Sequence, residues 1–364
     1  MARTATSAEL QAPGLEPAGL PLFVWSHPQA GLRFAVQGEL ERREGASLRE
    51  VLKGLEGGPW FGASVFDPAR PAWPGFPRLR FVRPALLSSS DGEYVPADPA
   101  PARIVEQPGE RKRWTALVDR ALQEIRRGAL DKVVLARAIE VQAEKEIDCA
   151  ALLRALEQRY PSCRTFLVRG DDGAVFLGAT PELLCRVEGG RVFAEAVAGS
   201  SNPGDAGLLT SNKDLREHGW VVEHIVRALS GIAEEVRCGP RTVRELANVA
   251  HLYTPIEARL PPGRGIAEVA AALHPTPAVL GSPPAAARRF LDAHEGLDRG
   301  LYGGLVGFVS PERSELAVAL RCALVRGRRA RLFVGAGIVE GSSPEEEWAE
   351  TELKARALLE ALGA

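Results

Sequence analysis

Hydrophobic positions in the first third of the chain alternate in short runs. Leu22 to Trp25, Leu32 to Val36, Phe61 to Phe66 and Leu79 to Val82 read as strands. Pro68, Pro71, Pro74, Pro77, Pro84, Pro96, Pro99 and Pro101 crowd the intervals and favour turns and edge strands over helices. From about Gly109 the period changes. Trp114, Leu117, Val118, Ala121, Leu122 and Ile125 recur at helical spacing, Lys132 to Val141 reads as a strand, and 149–159 reads as a helix. Strands are expected at 165–168, 175–178, 183–187 and 191–196, followed by a loop over 199–210. Ser211 caps a long helix expected to reach about Val236, with an apolar stripe at 218, 222, 225 and 229. Further strands are expected at 242–259, 301–309, 315–325 and 330–339, with helices near 265–273 and 283–293.

The strands arrive in consecutive hairpin-like groups and not in βαβ alternation. The expected fold is therefore α+β: a single large domain with two packed antiparallel β-sheets flanked by helices. Residues 1–18, rich in Ala, Pro, Gly and Glu, read as a flexible N-terminal tail. The domain is then 19–364, with its motif-bearing part at 110–360.

Composition narrows the function. Apolar residues make up 45% of 364 positions and charged residues 25%, as in a globular protein with a sizeable core. A net charge of −2 offers no basic field for a polyphosphate backbone, so no nucleic-acid partner is expected. Five cysteines are scattered without a CxxC pair, which suits a cytoplasmic protein without disulfides or structural zinc. No apolar run approaches the ~20 residues of a membrane span, so no membrane partner is expected. No secretory signal stands at the N-terminus.

The densest chemistry is near the C-terminus. Gly335-Ala336-Gly337 leads into Ser343, an N-cap, with Pro344 at the first helical position and Glu346 placed for a capping box. That register sets Glu347, Glu350 and Lys354 on one helix face, which is either a solvated stripe or a site for a hard cation and an anion. Lys132 shares a strand face with Val134 and Ala136, as a surface lysine or as a buried amine able to act as a base. Glu182 follows a proline bend, as an exposed turn carboxylate or as a general acid in apolar surroundings. Glu217 borders the apolar stripe of the long helix. His251 lies in an apolar strand, as a satisfied core residue or a site group. Arg321 ends another apolar strand, where burial calls for a carboxylate partner from protein or ligand. Walker A, GxGxxG, GxSxG and HExxH patterns are all missing.

Taken in order, DKVVLAR (131–137), FLGATPELL (176–184), AVAGS (196–200), NKDLREH (212–218), NVAHLYT (248–254), LHPTPAVLG (273–281), LYGGLVGF (301–308), LAVALRC (316–322) and GAGIVEGSSPEEEWAETELKA (335–355) resemble the chorismate-utilising enzymes, and among them the isochorismate synthases. The resemblance implies a Mg²⁺-dependent isomerase that converts chorismate to isochorismate by adding water at C2 and losing the C4 hydroxyl. Lys132 would activate the water and Glu182 would act as general acid. Glu217 and Glu350, with Glu347 beside them, would bind the metal. Gly199, His251, Ala278, Tyr302, Arg321, Gly335 and Lys354 would form the substrate pocket. Lysine and acid must both start uncharged, a state that burial favours for amine and carboxyl alike.

The same resemblance separates relatives. Anthranilate synthases carry glutamine where Lys132 stands, and aminodeoxychorismate synthases carry lysine where Ala198 stands. Salicylate synthases tend to carry threonine where Ala278 stands. The pattern here favours water addition that stops at isochorismate, as a monomer, feeding menaquinone or siderophore synthesis. The alternatives are a salicylate synthase, which would go on to eliminate pyruvate, and a non-catalytic β-rich binding scaffold. One departure is a loop from Ser200 to Ser211 shorter than is usual in the family.

Overall fold

Strand Lys132–Ala143 shows why these residues build a sheet. Val133, Val134, Leu135, Ala136, Ile139 and Val141 are all buried, so this strand is covered on both faces. The computed structural model describes residues 19–89, 99–201, 203–204, 207–246 and 249–364. The expected tail at 1–18 and Asn248 lie outside the described residues.

The antiparallel pairings form one continuous path. It runs from Ala102–Val105 through Lys132–Ala143, Arg329–Val339, Cys322–Arg326, Val175–Thr180 and Arg164–Arg169 to Phe23–His27. It continues through Leu32–Glu44, Leu79–Ser88, Trp60–Ser64, Leu305–Val309, Arg313–Val318, Leu183–Glu188 and Arg191–Ser201 to Ala250–Arg259. The two expected sheets are thus stitched into one network through strand Phe23–His27, which pairs on both sides.

The two halves of this path meet over an aromatic interior. Phe23, Trp25, Phe61 and Phe308 come from one half, and Phe166, Phe176 and Phe333 from the other. Phe34, Phe61 and Phe308 pack with ring centroids 5.2–6.0 Å apart. Phe61 and Phe308 are buried, each contributing about 1.5–3 kcal/mol, and Phe34 is partly buried beside them. Helices Glu110–Arg126, Asn212–Ser230, Ile266–Leu273 and Pro284–His294 cover one outer face. Helices Cys149–Arg159 and Pro344–Leu362 pack with a second cluster outside the sheet.

Several local expectations change. The strand expected at 242–259 is two, Thr242–Glu245 and Ala250–Arg259, and the one expected at 315–325 is two, Arg313–Val318 and Cys322–Arg326. The long helix ends at Ser230, because Glu235–Cys238 instead pairs with Ala250–Arg259. Its buried stripe uses Val221, not Val222, beside His218, Ile225 and Leu229. The strand expected from 301 begins at Leu305, which leaves Tyr302 on a turn facing the site. Helix Leu48–Lys53 is not legible in the sequence: six residues hold too few turns to show a period.

Candidate active site

Two capped helices and a strand pair set the frame. Ser343 Oγ accepts from the Glu346 N–H at 3.3 Å, and Ser211 Oγ accepts from the Asp214 N–H at 3.2 Å. Each cap fixes a helix register, which delivers Glu347, Glu350 and Lys354 from one helix and Glu217 from the other. Strand Lys132–Ala143 pairs with Arg329–Val339 so that Val134 faces Gly337 and Ala136 faces Gly335. Both glycines are required. A Cβ on Gly337 would lie 2.2 Å from Glu217 Oε1 and 2.9 Å from Lys132 Cε, and one on Gly335 would lie 2.7 Å from Tyr302 Oη.

Glu182 stands on the bend between Val175–Thr180 and Leu183–Glu188 and is 4% exposed. Its N–H donates to Thr180 Oγ1 at 3.2 Å, and its carbonyl accepts from the Val318 N–H at 3.1 Å. Burial pushes its carboxyl up to about 8, and Glu195 adds to that push against the charges of Lys132 and Lys354. The exposed-turn reading of Glu182 fails, and so does the surface reading of Lys132, which is 0% exposed.

Lys132 Nζ lies 2.9 Å from Glu217 Oε1 yet makes no directed hydrogen bond.

Another part of the lining carries His251 and Arg321. A bulge between Ala198 and Ser200 in strand Arg191–Ser201 turns out Gly199, at φ 73°. The Gly199 carbonyl accepts from His251 Nδ1 at 2.9 Å, and Arg321 Nη2 donates to His251 Nε2 at 3.2 Å. This pair of contacts fixes a neutral imidazole with its proton on Nδ1. Burial and the neighbouring Arg321 charge pull the His251 pKa down to about 3. Arg321 is the one non-glycine among the described residues at positive φ, 48°, a strained turn held in place at the site. Among the described residues no carboxylate forms an ion pair with Arg321, and burial draws its pKa down. Tyr302 stacks on Phe333 at 5.6 Å, with its hydroxyl buried and its pKa raised.

The expected metal-binding glutamates are each matched by a lysine: Glu217 by Lys132, Glu347 by Lys213 at 2.5 Å, and Glu350 by Lys354 at 2.5 Å. Among the described residues, no group of three or more His, Cys, Asp or Glu side chains is arranged to hold a metal ion. All three carboxylates act on the one Lys213 ammonium, so they lie near one another. The donor chemistry nevertheless suits a hard divalent cation. Burial and then the Glu350 charge push Glu347 up to about 7, and Glu347 Oε2 is buried without a partner. Burial opposes charge on Lys213, but Glu347, Glu350 and Glu217 outweigh it and hold its pKa up. Burial also opposes charge on Glu350, and Lys354 and Lys213 keep its pKa low.

One cavity gathers most of the expected residues. Glu182, Gly199, Glu217, His251, Ala278, Tyr302, Arg321, Gly335 and Lys354 line it. Lys132 and Glu350 touch this lining from outside it, Lys132 through Glu217 and Glu350 through Lys354, and Glu347 is not part of it. Sequence reasoning missed two supports. Arg299 is 4% exposed. It bonds Glu295 with both Nε and Nη2, and it donates to the Val279 carbonyl at 2.8 Å and the Val134 carbonyl at 2.6 Å. Glu295 Oε1 in turn accepts from the Ala136 N–H at 2.9 Å. This pair braces the Lys132 strand against the loop that carries Ala278. Its only signal in the chain is the i,i+4 spacing of two opposite charges. The second support, Lys213, lies inside the segment 212–218, where a lysine in the first turn of a helix suggests no role by itself.

Residues 86–363 match the chorismate-binding enzyme family. The chain belongs to that family. It is 40% identical over 267 residues to the salicylate biosynthesis isochorismate synthase of Pseudomonas aeruginosa, covering 70% of this chain and 56% of that relative. It is 34% identical over 337 residues to the isochorismate synthase EntC of Escherichia coli, covering 85% and 83% of the two chains. Among solved structures, the putative 2,3-dihydroxybenzoate-specific isochorismate synthase DhbC of Bacillus anthracis superposes with a TM-score of 0.82 at 29% identity, covering 94% and 96%. The menaquinone-specific isochorismate synthase MenF of Escherichia coli gives 0.81 at 28% identity, covering 98% and 90%. Arg321 and Lys354 place two cationic side chains at the lining of this chain's cavity.

Proposed function

We propose that this protein is a Mg²⁺-dependent isochorismate synthase acting on chorismate. The observation that carries the reading is Glu182, a buried carboxyl that stays protonated at neutral pH and faces the same cavity as Arg321. Adding water at C2 while losing the C4 hydroxyl needs a base for the incoming water and an acid for the leaving oxygen. Lys132 Nζ, once free of Glu217, takes a proton from the water. Glu182 gives a proton to the leaving hydroxyl, which departs as water while the ring double bonds shift. Each positioned transfer is worth about 10²–10⁴ in rate. Arg321 pairs with one substrate carboxylate, and Tyr302 helps to hold the enolpyruvyl side chain. Lys354 adds a cation at the lining, and Gly199 and Gly335 let the backbone approach the ring. Glu217, Glu350 and Glu347 would hold Mg²⁺, which supplies charge neutralisation and orientation for the ring carboxylate.

Ala278 at the lining supports a reaction that stops at isochorismate. Five free cysteines agree with a reducing cytoplasm as the working compartment, and no described helix is long and apolar enough to cross a membrane. The test is chromatography of the product formed from chorismate with Mg²⁺ and with EDTA. Isochorismate with Mg²⁺ and none with EDTA is the expected result. Fluorescent salicylate as the product would replace the reading with pyruvate elimination, and no turnover would end it.

A further inference from the structure

An ion pair beside the cavity is unused by the chemistry above. Arg244, on strand Thr242–Glu245, donates to both oxygens of Glu195, Nη1 to Oε2 at 2.8 Å and Nη2 to Oε1 at 2.9 Å. The guanidinium is also stacked on Tyr253, 3.8 Å from the ring centroid. A bidentate pair of this kind has one geometry and little freedom to leave it.

What the pair touches is more informative than the pair itself. Arg244 Nη1 reaches the Pro181 carbonyl at 3.5 Å. The Glu195 carboxylate accepts from the backbone N–H of Leu183. The residue between Pro181 and Leu183 is Glu182. One ion pair therefore holds the peptide groups on both flanks of the acid, while Thr180 and Val318 hold its own backbone.

We propose that Glu195 and Arg244 are a positioning pair for the reaction proposed above: they clamp the Pro181–Leu183 bend so that the Glu182 carboxyl is aimed into the cavity and set in a negative local field.

Two consequences separate this from a merely structural ion pair. The first is charge. The groups that act on the Glu182 carboxyl are Lys132 from its strand, Glu195 from strand Arg191–Ser201, Lys354 from the C-terminal helix and Thr276 from the loop before Ala278. Of these, Glu195 alone favours the protonated acid. Burial opposes charge on Glu195 itself, but Arg244 and Arg164 outweigh it and keep Glu195 ionised, so its field persists at working pH. The second is aim. An acid misplaced by about 1 Å can cost about 10²-fold in rate without weakening substrate binding.

The proposal rests on the isochorismate synthase reading, so its test has one arm that needs no turnover. In the first arm, kcat/KM is measured against pH for wild type, E195Q and R244K. E195Q keeps the shape and loses the charge, and its alkaline limb should move to lower pH by about half a unit or more. R244K keeps the cation but cannot span both oxygens. It should lower kcat by about tenfold or more, with KM within about twofold and the limb unmoved. In the second arm, glutamate labelled with ¹³C at the side-chain carboxyl is titrated by NMR in wild type and E195Q, with E182Q identifying the Glu182 signal. The midpoint should fall in E195Q.

An unmoved Glu182 midpoint in folded E195Q overturns the charge role, and an unchanged kcat in R244K overturns the clamp. A lowered melting temperature with neither change would reduce the pair to a structural contact. If E195Q does not fold, R244K decides. Failure of wild type to convert chorismate would sink the isochorismate synthase reading, and the NMR titration would then decide the role of the pair alone.

Discussion

Glu182 is the residue on which the proposed chemistry turns, and its environment makes a pH prediction. An ordinary glutamate is ionised above about 4.5, whereas burial raises this one to about 8. The acid must carry its proton, so activity should persist through neutral pH and fade as pH rises through about 8. His251, held neutral by a pKa of about 3, adds no limb between pH 5 and 9. Glu182→Gln keeps the size but has no proton to give. Its kcat should fall about 10²–10⁴-fold with an unchanged circular dichroism spectrum, and a pH–rate profile of wild type checks the limb.

The strand pair and the long helix meet at Gly337, and here the element has no slack. Gly337→Ala puts a methyl group against the Glu217 carboxylate and the Lys132 stem. The helix is locked by its Ser211 cap and by buried Val221, Ile225 and Leu229, so it cannot slide to make room. Overpacking of this kind costs about 1–3 kcal/mol. The expected outcome is a melting temperature lowered by a few degrees and kcat lowered at least about tenfold, because Lys132 and Glu217 must shift. A variant as active as wild type would show that the two groups do not need this spacing.

Across the whole molecule, the strand that carries Lys132 is tied to the rest of the fold by the buried Arg299–Glu295 pair. It joins helix Pro284–His294 and the turn after it to strand Lys132–Ala143 through Val134 and Ala136. Arg299→Met would strand the Glu295 carboxylate in the interior. Breaking a buried pair from one side costs about 3–5 kcal/mol, readable by urea denaturation. The double variant Arg299→Met/Glu295→Gln should lose less than the sum of the two single losses, because the uncompensated charge is then gone.

Amphipathic period and capping chemistry are enough to place the helices at 149–159 and 265–273, because both signals are local. The chemical identity of Lys132, Glu182 and Arg321, and their order among the family segments, also stand in the chain itself. Whether each is buried or solvated does not. A lysine beside Val134 has the same neighbours in sequence either way, and only the pairing with Arg329–Val339 and the packing of helix Asn212–Ser230 closes water out. The partners are likewise invisible in the sequence. Arg244 and Glu195 lie 49 residues apart, and Lys213 and Glu347 lie 134 apart. Contacts of that reach arise when strands are laid side by side, and no local period encodes which side chains will then face each other.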